Sequence, residues 1–191
     1  MEKVKVYTYV DENGQDTLGR VFIVSVVVVG KEKDELLEFC ELCEKESGKK
    51  GTKWRKAGYG ERLEYLRRIF RDSRLKGNIR FSVFRETRNY DSATIVAIAK
   101  ALNWDKSIQE YTAAVYVDGL TKIKRREYSR ELRILGISTH KVQGIMKDEN
   151  NSLVRLADAV AGFVRDVLDG DSGQAKKLFE QVVKAGALIE V

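Results

Sequence analysis

A chain of 191 residues fits one domain, and a domain of that size buries roughly 70% of its unfolded surface, enough to hold a core without disulfides or a structural metal. Hydrophobic residues make up 43% and charged residues 34%, with a net charge of +6 and no proline. The N-terminus alternates charged and apolar residues, and the longest apolar run, Val21 to Val29, is broken by Ser25; neither a secretory signal nor a spanning helix is expected, and a soluble, cytoplasmic chain is.

Val4, Val6, Thr8 and Val10 alternate with Lys5, Tyr7, Tyr9 and Asp11, the period of a strand ending at Asp11. A Gly-bearing turn follows, then a continuous β-branched run from Arg20 to Val29, as in a strand buried on both faces. The two should form a hairpin. Glu32 to Ser47 reads as an amphipathic helix, Lys49 to Gly60 as a basic loop, and Glu61 to Arg74 as a second helix. Asn78 to Phe84 is a third strand, Ser92 to Leu102 a helix, Ala113 to Asp118 a fourth strand, and Lys122 to Leu135 a basic helix. Lys141 to Met146 makes a fifth strand before closing helices over Ser152 to Leu168 and Gln174 to Ala185. No repeat or linker divides the chain, so residues 1–191 form one α/β domain, a mixed five-stranded sheet with helices on both faces.

Charge is unevenly distributed. Lys49 to Arg80 holds twelve Lys or Arg against three acids, whereas Lys31 to Glu46 holds seven acids against three lysines. Such a dipolar surface steers a polyanion onto one face. Cys40 and Cys43 form a lone C-x-x-C in mid-helix among Glu38, Glu41 and Glu44. A redox pair needs a helix N-terminus and zinc needs further ligands, so both thiols should face the core as small hydrophobes.

The chemistry-bearing residues are aspartates. Asp11 and Asp118 each end a strand, where ligands of open α/β sheets sit. Asp158 lies two turns into a helix otherwise lined by Leu153, Leu156, Ala157, Val160, Ala161 and Val164. A carboxylate on such a stripe is costly unless paired or bound to metal. Small residues at Ala157, Ala161 and Gly162 would let that helix approach the sheet. Three carboxylates without His or Cys suit a hard cation, Mg2+ or Mn2+, and two such ions would serve phosphodiester hydrolysis. Asp11 and Asp118 also fit a plain strand-ending or turn role.

The segments Tyr9-Val10-Asp11-Glu12-Asn13-Gly14, Val115-Tyr116-Val117-Asp118 and Leu156-Ala157-Asp158-Ala159-Val160-Ala161-Gly162 resemble the family named domain of unknown function 3800, in order and spacing over nearly the whole chain. The basic, aromatic pair Lys53-Trp54 resembles a motif of the same family. The resemblance implies a ribonuclease-H-like fold, metal ligation by Asp11, Asp118 and Asp158, and a nuclease associated with mobile elements and defence genes. Two positions depart from the pattern: Asn13 stands for Ser, and Arg155 for Gln. Arg155 is placed either to pair with Asp158 or to meet a phosphate. A fourth carboxylate is left open among Glu12, Asp148 and Glu61, with Glu12 facing away from Asp11 if the strand continues.

On the substrate side, Lys49, Lys50, Lys53, Arg55 and Lys56 surround Trp54, which would stack on a base or pack inward. Lys122, Lys124 and Arg125 begin a helix just beyond Asp118, where they would meet phosphates of DNA or RNA. The rival classes are a catalytically inactive nucleic-acid-binding module of the same fold and a phosphatase or phosphotransferase acting on a small substrate.

Overall fold

The computed structural model describes residues 3–104, 110–146, 151–170 and 173–191. Strands β1 (Val4–Asn13), β2 (Val21–Val29), β3 (Ile79–Arg85), β4 (Tyr111–Asp118), β5 (Thr139–Ile145) and β6 (Leu188–Glu190) form one sheet in the order β5-β4-β1-β2-β3-β6. The β1–β2 and β2–β3 pairs are antiparallel, while β1–β4, β4–β5 and β3–β6 are parallel. Helices α1 (Lys33–Ser47), α2 (Tyr59–Arg71), α5 (Ser152–Leu168) and α6 (Gly173–Lys184) cover one face. Helices α3 (Tyr90–Asn103) and α4 (Lys122–Ile134) cover the other.

The mixed sheet with helices on both faces stands as expected, with six strands rather than five. The sixth, three residues long, is too short to show alternation and is held by its pairing with the end of the sheet at β3. β1 also runs on past Asp11 to Asn13. Gly14, at φ +104, turns the chain there, and a Cβ would fall 2.1 Å from the Val21 carbonyl oxygen. The unbroken apolar run of β2 follows from its central place: Phe22, Val24, Val26 and Val28 enter the core under α3 and α4, and Ile23, Val27 and Val29 the core under α1, α2, α5 and α6. Cys40 and Cys43 are free and buried in that second core, as their helical spacing requires.

α5 begins at Asn151, whose side chain accepts hydrogen bonds from the amides of Leu153 and Val154. This satisfies two of the amides a helix start leaves unpaired. Its buried face carries Leu153, Leu156, Ala157, Val160, Ala161 and Val164, and it packs chiefly on β1 and β2. No described helix is long and apolar enough to cross a membrane.

Candidate metal centre

Because β1 and β4 are parallel neighbours, Tyr9 lies opposite Tyr116 and Val10 opposite Val117. The next residues along, Asp11 and Asp118, are thereby brought to one end of the sheet. The stacked rings of Tyr9 and Tyr116, with centroids 5.2 Å apart and 12° between planes, occupy the same side of the two strands. α5 crosses β1 and supplies Asp158 from above.

Asp11 is 9% exposed, and its Oδ1 accepts the Glu12 amide at 2.7 Å. Burial, then the charges of Asp158 and Asp118, push its carboxyl well above the ordinary range. Asp158 is also raised, chiefly by burial, against the Trp54 amide that donates to its Oδ2 at 2.7 Å. Asp118 accepts from Lys53 Nζ at 3.1 Å through Oδ2. Partial burial draws the Lys53 pKa down, but Asp118, Asp11 and Asp158 together more than reverse that and raise it. One ammonium thus answers three carboxylates.

The segment carrying Lys53 is pinned by its neighbour. Trp54 is 2% exposed, its Nε1 donates to Asp166 Oδ2 at 2.8 Å, and its ring meets Phe163 edge-on. The indole lies where a side chain at Gly162 would be, since a Cβ there would come within 2.2 Å of Trp54 Cδ1. Gly162 therefore serves the approach of Trp54, not that of the sheet. Arg62 closes over the same ring at 5.1 Å and bonds Asp166 at 3.1 Å. Trp54 is an anchor, and base stacking on it is ruled out by burial.

Other expected residues fall elsewhere. Glu12 points to the opposite face, as continuation of β1 dictates, where its carboxylate accepts from Thr94 Oγ1 at 2.5 Å and Gln15 Nε2 at 2.9 Å. Its carboxylate has no part in the Asp11 cluster. Lys124 pairs with Asp91 at 2.6 Å on that same face. Arg155 neither pairs with Asp158 nor faces solvent for a phosphate: its guanidinium takes Glu44 at 2.7 Å, and Glu44 is 3% exposed. Lys49 is buried too, on Glu44 and over the ring of Tyr65. That buried acid in α1 explains why Lys49 of the basic stretch and Arg155 of α5 both turn inward. Glu61 holds the start of α2 by accepting the Gly58 amide. Asp148 lies outside the described residues. Lys50, Lys56 and Lys122 are exposed, Arg55 is exposed beside Asp16 at 3.7 Å, and Arg125 is half-buried.

Two residues of this region escaped the sequence reading. Ser25 is the register partner of Asp11 on β2, and its buried hydroxyl has no hydrogen-bond partner among the described residues. Its signal was available: it is the single polar residue in the β2 run. Asp166 had no signal, since it tethers Trp54 from two turns beyond Asp158.

Among the described residues, no three His, Cys, Asp or Glu side chains are drawn closely enough together to hold a metal ion as they stand. The donor set nonetheless suits a hard cation: three carboxylates on rigid elements, a hydroxyl without a partner among the described residues beside one of them, and a positive charge, that of Lys53, already drawn to all three.

No family model matches the chain, and no curated protein matches it. Solved structures do. A chain in the PCNA:RNase HII complex from Archaeoglobus fulgidus is 18% identical, with a TM-score of 0.53, over 95% of this chain and 90% of that one. Ribonuclease H2 from Pyrococcus horikoshii OT3 is 16% identical, with a TM-score of 0.49, over 84% and 72%. The fold is α/β and ribonuclease-H-like.

Proposed function

We propose that this chain is a divalent-metal-dependent nuclease that hydrolyses phosphodiester bonds of DNA or RNA. The observation that carries the reading is the arrival of Asp11, Asp118 and Asp158 from β1, β4 and α5 around the Lys53 ammonium. The resemblance to the domain of unknown function 3800 family, read from the same aspartates, supports it, as does the ribonuclease-H-like fold, as does a net charge of +6.

Asp11, Asp118 and Asp158 would hold Mg2+ or Mn2+, and bound ions would lower the pKa of a water and stabilise the leaving oxygen. The chain's own residues set the stage. The Trp54 amide orients Asp158, the Glu12 amide orients Asp11, and Trp54 anchors the loop that delivers Lys53. Lys53, half exposed, is placed to exchange its bond with Asp118 for one with a substrate phosphate. Lys50, Arg55, Lys56 and Lys122 add positive charge on exposed positions near that end of the sheet.

The test is cleavage of labelled single-stranded and duplex DNA and RNA with Mn2+, Mg2+ or chelator, comparing the wild type with Asp158→Asn. Metal-dependent cleavage lost in the variant is expected. Cleavage retained by a folded Asp158→Asn protein would retire the assignment. A second reading, a catalytically inactive nucleic-acid-binding module, is favoured by the Lys53–Asp118 ion pair, which already neutralises part of the cluster. It predicts salt-dependent binding without turnover in any metal.

A further inference from the structure

A cleft of about 610 Å3 lies between α4 and the edge strand β5, lined by Arg125, Arg126, Arg130, Arg133, His140 and Lys141. Ser129, Ile134 and Val142 complete its wall, with no acidic side chain. We infer that this cleft binds the phosphodiester backbone of a nucleic acid, a track for the strand remote from the three aspartates.

α4 is fixed by Tyr128 and Leu132, which are buried. Arg126 and Arg130 are one helical turn apart, as are Arg130 and Arg133. Like charges at such spacing cost a helix ~0.2–0.5 kcal/mol per pair. Of the four arginines only Arg130 has an ion pair among the described residues, with Glu131 at 2.8 Å. Among the described residues, the side chain of Arg133 bonds neutral hydroxyls alone, of Ser129 and Thr139. The buried Nε of Arg125 has no acceptor at all among the described residues. A cleft of guanidiniums with so few anions is built for anions brought from outside, and the planar fork of arginine suits phosphate oxygens.

Length favours a polymer over a single phosphate. From Arg125 to Arg133 the helix rises ~12 Å at ~1.5 Å per residue, against ~3.4 Å between successive charges along one DNA strand. Continuity favours nucleic acid over an acidic peptide. The cleft and the aspartates lie on opposite faces of the sheet but both adjoin β4, since α4 starts four residues beyond Asp118 and β5 pairs with β4 as far as Asp118, so a strand leaving the cleft passes the end of β4. The inference deepens the nuclease reading and rests on it for the identity of the polyanion.

The test uses the whole chain in chelator, so that no turnover is required. Fluorescein-labelled single-stranded and duplex oligonucleotides are titrated against wild type and Arg126→Glu/Arg130→Glu at several salt concentrations. A control, Lys176→Glu/Lys177→Glu, makes the same charge change at exposed positions on α6. Loss of tenfold or more in affinity, with a log–log salt slope shallower by about two in the cleft variant alone, is the expected result. Arg126→Gln/Arg133→Gln replaces the glutamate variant if its melt shows misfolding, with the same expectation. Wild-type binding that survives either folded cleft variant, or falls equally in the α6 control, overturns the track and leaves the nuclease reading standing. If wild type binds no oligonucleotide, both fail. Polyglutamate binding by wild type that the cleft variant loses, with oligonucleotide binding unchanged between the two, assigns the cleft to an acidic peptide and overturns the inference.

Discussion

The indole of Trp54 lies on the bare backbone of Gly162, one helical turn beyond Asp158, while the Trp54 amide holds Asp158 Oδ2 at 2.7 Å. One contact thus seats the loop, orients an aspartate and delivers Lys53. Gly162→Ala removes the seat: the new methyl would start 2.2 Å from Cδ1 and 2.5 Å from Cγ, near the root of the ring where it cannot swing aside cheaply. Overpacking of this kind costs ~1–3 kcal/mol. The expected outcome is a lower melting temperature, red-shifted tryptophan emission and reduced metal-dependent cleavage. An unchanged emission spectrum would show that the indole does not depend on that space.

Arg155 separates a structural cation from a substrate-binding one. Removing one member of a buried pair usually costs ~3–5 kcal/mol. Lys49 stays on Glu44 at 3.1 Å, so Arg155→Ala should fall at the low end of that range. Denaturant midpoints should drop accordingly, while the salt slope of oligonucleotide binding by the folded fraction stays at the wild-type value. A shallower slope would return Arg155 to the phosphate-contacting set.

The raised pKa of Asp11 gives stability a pH signature. Its folded form keeps a proton that the unfolded chain, near the ordinary carboxyl value of 3.8, gives up. That contribution is complete in acid and is lost as pH rises through the raised folded value, so the metal-free protein is less stable above that range than in acid. Asp11→Asn has no proton to lose. In chelator, its melting temperature should exceed wild type at pH 7, and the gap should close toward pH 3. Since ~1 kcal/mol moves the midpoint roughly 2–4 °C in a chain of this size, the gap is measurable. Added Mn2+ should raise wild type and leave the variant nearly unmoved. A gap independent of pH would sink the argument.

Burial pushes the Cys43 thiol up to about 11 and raises Cys40 as well. Both should resist alkylation in the native protein and react at the unfolding rate in denaturant. Rapid native labelling of either would restore a chemical role to the C-x-x-C pair.

The carboxylates were legible because each carries a positional signal: two at the ends of β-branched runs and one on an apolar helix stripe. What the sequence could not settle was pairing across distance. Trp54 and Arg155 were plausible ligands for nucleic acid until Asp166 and Glu44, each more than a hundred residues away in the chain, claimed them. Glu12 was a candidate for a fourth carboxylate only while the strand was taken to end at Asp11: β1 outruns Asp11, and strand alternation sends the next side chain to Thr94. β6 was missed because three residues hold no period, its place being set by β3.

Lys53 is the residue on which the metal reading and the binding reading part most clearly. Its ammonium lies on Asp118 and is drawn by Asp11 and Asp158, in competition with any cation that the same oxygens would take. Lys53→Gln removes that competitor while keeping a polar side chain of similar reach. If the aspartates bind metal, Mn2+ affinity measured by calorimetry or by paramagnetic resonance of free Mn2+ should tighten several-fold. Oligonucleotide affinity in chelator should fall at the same time, with a salt slope shallower by about one, because a phosphate contact has gone. The two effects oppose each other, so cleavage at saturating metal should drop while the metal concentration for half activity falls. If the cluster is instead held together by Lys53 as a structural ion pair, the variant should bind no metal more tightly and should lose stability in chelator and Mn2+ alike. Weaker Mn2+ binding in a folded Lys53→Gln protein would remove the ammonium as the cation's stand-in.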